Sequence, residues 1–315
     1  MILYSILLLV FSLLLIAVLS ERVIGYVLTL SKAFGMSEMA AGFILLSVTT
    51  SLPELAVSTV ASIAGEGGLA AGNALGSNVA NLTVIIGLAV FLGKTEIPVK
   101  GEFQKELVQF LFLSSMIPLF IVQRGSLGPV LGLVLLILFI YFSVTISRKT
   151  EKVEKTETEQ RRSTAMVGLK FMAAAVLVIA LSKLLVDSAV DIAEFVGLPP
   201  SIIGATIVGL GTSLPELATT IQTLRKKLFG MALGNLLGSC ITNITLILGV
   251  SSLITFSEVN VLAVESIMFY VLLSSLSVWY MVSASERIGK KAAIFLCVVY
   301  ILFILQQVGV SVFVF

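Results

Sequence analysis

GFILLSVTTSLPEL (42–55), followed by GNALGSNVANLTVIIGL (72–88), has a second copy further along the chain. The copy is GATIVGLGTSLPEL (204–217) followed by GNLLGSCITNITLILGV (234–250). The two superpose at a constant offset of 162 positions, without a gap, over residues 42–93 and 204–255. Thr50 falls on Thr212, Ser51 on Ser213, Pro53 on Pro215 and Glu54 on Glu216. Gly72, Asn73, Gly76, Ser77 and Asn81 fall on Gly234, Asn235, Gly238, Ser239 and Asn243. These are the main polar segments inside long apolar runs. They predict two related halves that share one polar site within a membrane.

The bulk composition agrees. Hydrophobic residues make up 58% of the 315 and charged residues 12%, with mean hydropathy +1.11. Soluble domains are roughly half apolar and about a quarter charged. The excess belongs to an integral membrane protein whose apolar runs of about 20 residues cross the bilayer as helices. Alternating β-barrel patterning is absent. The net charge of +2, with no basic cluster interleaved with aromatics, gives no nucleic-acid surface. Cys240 and Cys297 both lie in apolar runs and read as small buried hydrophobes. There is no histidine, which removes Ser-His triads, His-ligated zinc and histidine proton relays.

Ten apolar runs are expected: 1–20, 38–64, 68–92, 107–123, 127–147, 165–186, 199–224, 230–254, 262–283 and 290–312. The first lacks a basic leader and a small-residue cleavage site, so it reads as a span and not as a signal peptide. Basic residues collect after odd-numbered runs: Arg22 and Lys32; Lys94, Lys100 and Lys105; Arg148 to Arg162; Arg225 to Lys227; Arg287, Lys290 and Lys291. The even loops and both termini offer little beyond Arg124. The positive-inside rule then makes the odd loops cytoplasmic and leaves both termini outside.

Five runs per half is an odd number, so the halves enter the membrane in opposite senses. The turn Gly65-Glu66-Gly67-Gly68 has no basic residue, whereas its counterpart carries Arg225, Lys226 and Lys227. The expected fold is therefore an all-α integral membrane protein of ten transmembrane helices in two inverted five-helix repeats. These are residues 1–147 and 164–315, joined by a solvated, mixed-charge linker at 148–163. Such inverted repeats characterise secondary transporters, with the site near the midplane.

Thr50 and Glu54 are four apart and lie on one helix face. Pro53 and Pro215 cannot donate a hydrogen bond and displace the carbonyl one turn back, near Thr49 and Gly211. A bent or broken helix with free carbonyls beside a carboxylate suits a hard cation, which takes oxygen ligands. Asn73, Ser77 and Asn81, matched by Asn235, Ser239 and Asn243, form stripes at spacing four that add neutral oxygens. Gly72/Gly76 and Gly234/Gly238 are GxxxG pairs that allow close helix approach. An ionised carboxylate at the bilayer centre costs at least about 2–3 kcal/mol and marks an ion path. Glu54 and Glu216 together would neutralise one Ca²⁺; emptied, they would repel and take up Na⁺ or protons. By contrast, Asp187 and Asp191 with Lys183, and Glu265, read as pairing near the outer membrane surface.

At these residues the sequence resembles the sodium/calcium exchanger family of the cation/Ca²⁺ antiporter superfamily. The resemblance rests on the two GTSLPEL-like segments with GNxxGSxxxN, its alpha repeats, and extends to the ten-span layout. It implies exchange of Na⁺ for Ca²⁺ by alternating access, with spans two, three, seven and eight around the site. Spans one and six are implied to slide against that core. By position it implies Glu54 and Glu216 as the main carboxylate ligands. Thr50, Ser51, Thr212, Ser213, Ser77 and Ser239 would add oxygens, and the backbone carbonyls of Ser47 and Gly209 would serve outlying Na⁺ positions. Asn81 and Asn243 would complete the centre. Two departures stand out. Thr49-Thr50 replaces the Gly211-Thr212 pattern in the first repeat. Asn243 stands where potassium-dependent relatives carry Asp, which argues against K⁺ co-transport. No cofactor and no protein partner is expected; the partners are Ca²⁺, Na⁺ and membrane lipid. The alternatives at this point are a proton/calcium exchanger of the same fold, an intramembrane enzyme and a passive cation channel. Proton-coupled relatives more often carry GNxxE where this chain has TSLPE, and the absence of histidine weakens the enzyme.

Overall fold

The offset of 162 recurs in the backbone. The computed structural model describes residues 2–34, 43, 46–99, 102–149, 161–255 and 258–309. Helix α1 is Ile2–Phe34. A short helical turn, Val48–Thr50, leads to α2, Leu52–Ile63. Helix α3 is Gly67–Gly93 and contains a π-helical turn at Asn81–Ile85. There follow α4 (Glu102–Ser114), α5 (Leu119–Arg124), α6 (Pro129–Lys149) and α7 (Arg161–Val196). Helix α8 is Pro200–Arg225, with a π turn at Gly204–Val208 and a break at Ser213. Helix α9 is Phe229–Ile254, with a π turn at Asn243–Ile247. The chain closes with α10 (Val261–Ser285) and α11 (Lys290–Gln307).

The π turns of α3 and α9 coincide under the offset, as do the breaks at Ser51 and Ser213. Even the turns that enter α3 and α9 match: Gly65 and Lys227 both take left-handed backbone, at φ 85° and 61°. Glycine meets that demand without strain; lysine does not, so this geometry belongs to the fold and not to the local sequence.

Seven helices among the described residues are long and apolar enough to cross a membrane: α3, α6, α7 from Met166, and α8 to α11. Ile2–Ile16 of α1 and all of α2 are shorter apolar stretches. The expected run 107–123 is interrupted. Helix α4 stops at Ser114, and α5 starts after Pro118, whose missing N–H and ring end the helical ladder. Helices α1 and α7 extend well past the apolar runs that predicted them, because a helix need not stop where its hydrophobic stretch ends. Most of the 148–163 linker lies outside the described residues.

Helices α3 and α9 form the centre, each 78% buried over its apolar window, against 22% for α6. Small residues permit this. A Cβ on Gly72 would lie 2.1 Å from the Ser201 carbonyl oxygen, and one on Gly76 would lie 2.2 Å from that of Ala205. The GxxxG pair of the first repeat thus seats α3 against the backbone of α8, in the other half. Leu9, Leu13 and Ile16 of α1 pack with Val178, Leu181 and Leu185 of α7, and this pair lies along α2. Gly211 lets Leu13 approach to where a Cβ would meet it at 2.5 Å.

Two strand pairings tie the loops. Ile97–Pro98 (β1) pairs antiparallel with Arg287–Ile288 (β2), and Ser126 bridges Glu258. Lys105–Glu286 (2.6 Å) and Arg287–Glu96 (3.0 Å) brace the first pairing. Lys105 holds the Glu286 carboxyl below the ordinary carboxylate range.

Candidate functional site

Each repeat breaks its helix one residue before its Leu-Pro-Glu triplet. Pro53 and Pro215 take the second position of the new helix, where a missing N–H costs nothing. This puts Glu54 and Glu216 in a first helical turn, where the unpaired N–H groups favour a negative charge. Both side chains are fully buried. Neither forms an ion pair among the described residues.

The hydrogen bonds cross between the repeats. Ser51 donates to Oε1 of Glu216 at 3.2 Å, and Ser213 donates to Oε1 of Glu54 at 3.1 Å. Thr50 reaches Oδ1 of Asn235 at 3.2 Å, and Thr212 reaches Oδ1 of Asn73 at 3.2 Å. The asparagines are anchored in turn: Asn73 donates to the Ser58 hydroxyl at 2.9 Å, and Asn235 to the Thr220 hydroxyl at 3.3 Å. Every one of these pairs has its image 162 residues away. The duplicated motif therefore builds one cluster, each half completing the other.

Some contacts lack an image. Ser239 donates to Oε1 of Glu216 at 3.3 Å and lies 3.2 Å from the Thr50 hydroxyl. Its counterpart Ser77 turns instead to the Gly209 carbonyl, at 3.1 Å. The carbonyls of Ser47 and Gly209 receive the hydroxyls of Thr50 (3.3 Å) and Thr212 (3.4 Å). Asn73 is expected to add a neutral oxygen; its amide also holds the Glu54 carbonyl at 3.2 Å, so it braces the first turn of α2 as well. Ser58 and Thr220 carried a readable signal, two hydroxyls at the repeat offset. Asn78 carried none, since Cys240 occupies its image; it donates to the Cys240 carbonyl and accepts from Asn243, both at 3.0 Å.

What remains is a set of unused acceptors. Oε2 of Glu54, Oε2 of Glu216, Oδ1 of Asn81 and Oδ1 of Asn243 are buried with no hydrogen-bond partner among the described residues. An unsatisfied buried polar group costs about 1–3 kcal/mol, and a charged one more. Such oxygens are the ligands a hard cation takes, and the hydroxyls that donate to Oε1 keep lone pairs to spare.

Lys183 pairs with Asp187 at 3.2 Å on the exposed face of α7, and Asp191 accepts from Ser5 of α1 at 2.8 Å. Glu265 is exposed; Cys240 is buried as expected, whereas Cys297 is only half-buried, and neither is in a disulfide.

Two fully buried carboxylates inside a helical bundle with membrane-spanning helices, one in each copy of a repeated motif, are features of ion transporters. Comparison with known proteins specifies which kind. The family model described as sodium/calcium exchanger protein matches residues 4–148 and 167–309. The chain belongs to that family: it is a multi-pass membrane cation/Ca²⁺ antiporter and not an enzyme. It is 31% identical over 268 residues to the inner membrane protein YrbG of Escherichia coli, covering 81% of this chain and 82% of that one. It is 28% identical over 324 residues to the sodium/calcium exchanger MaX1 of Methanosarcina acetivorans, covering 88% and 90%. Among solved structures it resembles the sodium-calcium exchanger NCX_Mj soaked with Na⁺. The TM-score is 0.68 at 25% identity, over 96% of this chain and 98% of that one.

Proposed function

We propose that this protein exchanges Na⁺ for Ca²⁺ by alternating access, at one site near the bilayer midplane built on Glu54 and Glu216. The observation that carries the reading is the pair of crossed bonds, Ser51 to Glu216 and Ser213 to Glu54, which leave both Oε2 atoms free. Glu54, Glu216, Asn81 and Asn243 supply the unpartnered oxygens. Thr50, Ser51, Thr212, Ser213, Ser77 and Ser239 supply hydroxyls, and Ser47 and Gly209 supply carbonyls.

The physics of exchange follows from charge. Two carboxylates in a low-dielectric interior are costly without a counter-charge. One Ca²⁺ neutralises both; so do two Na⁺. The empty, doubly negative site is the state least able to pass through the occluded arrangement, so the protein turns over when loaded with one cation or the other. That couples the fluxes. The apolar α1–α7 pair, in contact with α2 and with α8 at Gly211, is the element suited to slide past the four site helices.

We read ten spans in two inverted halves, residues 1–147 and 164–315, with the 148–163 linker on the cytoplasmic side and both termini outside. The ninth and tenth spans are α10 and α11, and α4 with α5 makes the fourth. The strand pairings support this count. They join the loop after span three to that after span nine, and the loop after span four to that after span eight. Odd meets odd and even meets even, as alternate crossing requires.

The test is ⁴⁵Ca²⁺ uptake into proteoliposomes under an outward Na⁺ gradient at equal pH, beside an outward proton gradient without Na⁺. Uptake driven by Na⁺ alone is the expected result. Uptake driven by protons alone would move the protein to a proton-coupled exchanger on the same fold.

A further inference from the structure

We propose that Asn78 is a positioning residue that turns Asn243 so that its amide oxygen, and not its NH₂ group, faces the ion site. This deepens the site reading above and rests on it. The argument starts from an acceptor that admits no alternative. The Cys240 backbone carbonyl can only accept, so the Asn78 side chain must present its NH₂ there, at 3.0 Å. Its Oδ1 then points the other way, and Asn243 lies 3.0 Å from it. Two amide oxygens cannot face each other, so Asn243 must present NH₂ to Asn78. Its Oδ1 is left pointing away, buried and without a partner among the described residues. Each amide orientation is forced by the one before, from a fixed backbone atom outward.

The repeat supplies an internal comparison. The image of Asn243 is Asn81, and the image of Asn78 is Cys240, which has no amide. Neither side-chain amide atom of Asn81 has a hydrogen bond of ordinary geometry among the described residues; the Cys240 thiol is its neighbour. The site therefore holds one neutral oxygen oriented by an amide partner and one beside nothing stronger than the Cys240 thiol, a weak donor. A cation with strict demands on its ligands gains from the locked oxygen, because no amide rotation has to be frozen on binding. The lock also explains why residue 78 interrupts an otherwise crosswise pattern. Asn78 reaches from α3 to α9, so the two central helices are joined at the level of the ligands.

The experiment is a double-mutant cycle on the apparent Ca²⁺ affinity of Na⁺-driven uptake, with Asn78→Leu, Asn243→Leu and both. Each single change is expected to weaken apparent Ca²⁺ affinity about five- to tenfold, the size of one lost oriented hydrogen bond. The double variant is expected to be no weaker than Asn243→Leu alone, because Asn78 acts through Asn243. Asn78→Ser, smaller and still polar but ending short of both partners, serves if the leucine variant does not fold; the same loss is expected. Effects that multiply in the double variant, or an Asn78 change without effect, would overturn the proposal and leave the site reading intact. A silent Asn243→Leu would overturn Asn243 as a ligand, and this proposal with it.

Discussion

The hydroxyl of Ser213 meets Oε1 of Glu54 at 3.1 Å across 159 residues of chain. Ser51 and Ser213 each serve the carboxylate of the other repeat, and Ser239 adds a bond to the glutamate of its own. The site is thus a property of the assembled pair of halves, and a change in either repeat should be felt by both.

Glu54→Gln or Glu216→Gln is expected to abolish Ca²⁺ counter-transport while the purified protein stays monodisperse in detergent. A single remaining carboxylate cannot neutralise Ca²⁺, and the amide brings a donor where a cation needs an acceptor. Normal exchange by either variant would remove that glutamate from the site.

Ser51→Ala and Ser213→Ala each delete one crossed bond and one hydroxyl oxygen. Apparent Ca²⁺ affinity should fall about three- to tenfold in each, consistent with about 1 kcal/mol for a hydrogen bond to a buried partner. The two should match, since their bonds are images of one another. Ca²⁺ titration of uptake measures this, and a large effect in one with none in the other would break the symmetry argued here.

Gly76→Ala should lower thermal stability, because its Cβ would lie 2.2 Å from the Ala205 carbonyl oxygen and force α3 off α8. Overpacking of this kind costs about 1–3 kcal/mol. Gly168→Ala, on α7 with nothing within 4 Å of the added carbon, should be neutral or slightly stabilising. Melting curves of the two variants side by side decide it. Equal melting temperatures would mean that the α3–α8 contact is looser than described.

Ala64 and Lys226 are images of each other, and both are exposed at the ends of their helices. In a background without native cysteines, Ala64→Cys should react with an impermeant thiol reagent on intact cells, and Lys226→Cys only after permeabilisation. Labelling of both from the same side would contradict the inverted arrangement.

Much of this was legible in the chain itself. The gapless offset matched the paired prolines and both glutamates, and the prolines predicted breaks near Thr49 and Gly211, two residues before the observed ones at Ser51 and Ser213. The crosswise pairing was not legible, because a repeat aligned to itself says which residues are equivalent, not which ones touch. Asn78 stayed hidden for a related reason: its image is Cys240, so the duplication that revealed its neighbours was silent there. The break at Pro118 was masked by a run apolar enough to pass for one helix. The lengths of α1 and α7 escaped because hydropathy marks where a helix is buried in lipid, not where its hydrogen bonds stop.

The central claim is that Glu54 and Glu216 form one shared cation site. Equilibrium ⁴⁵Ca²⁺ binding to the purified protein, titrated with Na⁺, tests it most directly. The account predicts one Ca²⁺ per chain, displaced competitively by Na⁺ and lost in both Glu54→Gln and Glu216→Gln. Two independent Ca²⁺ ions per chain, or one that survives either substitution, would contradict it.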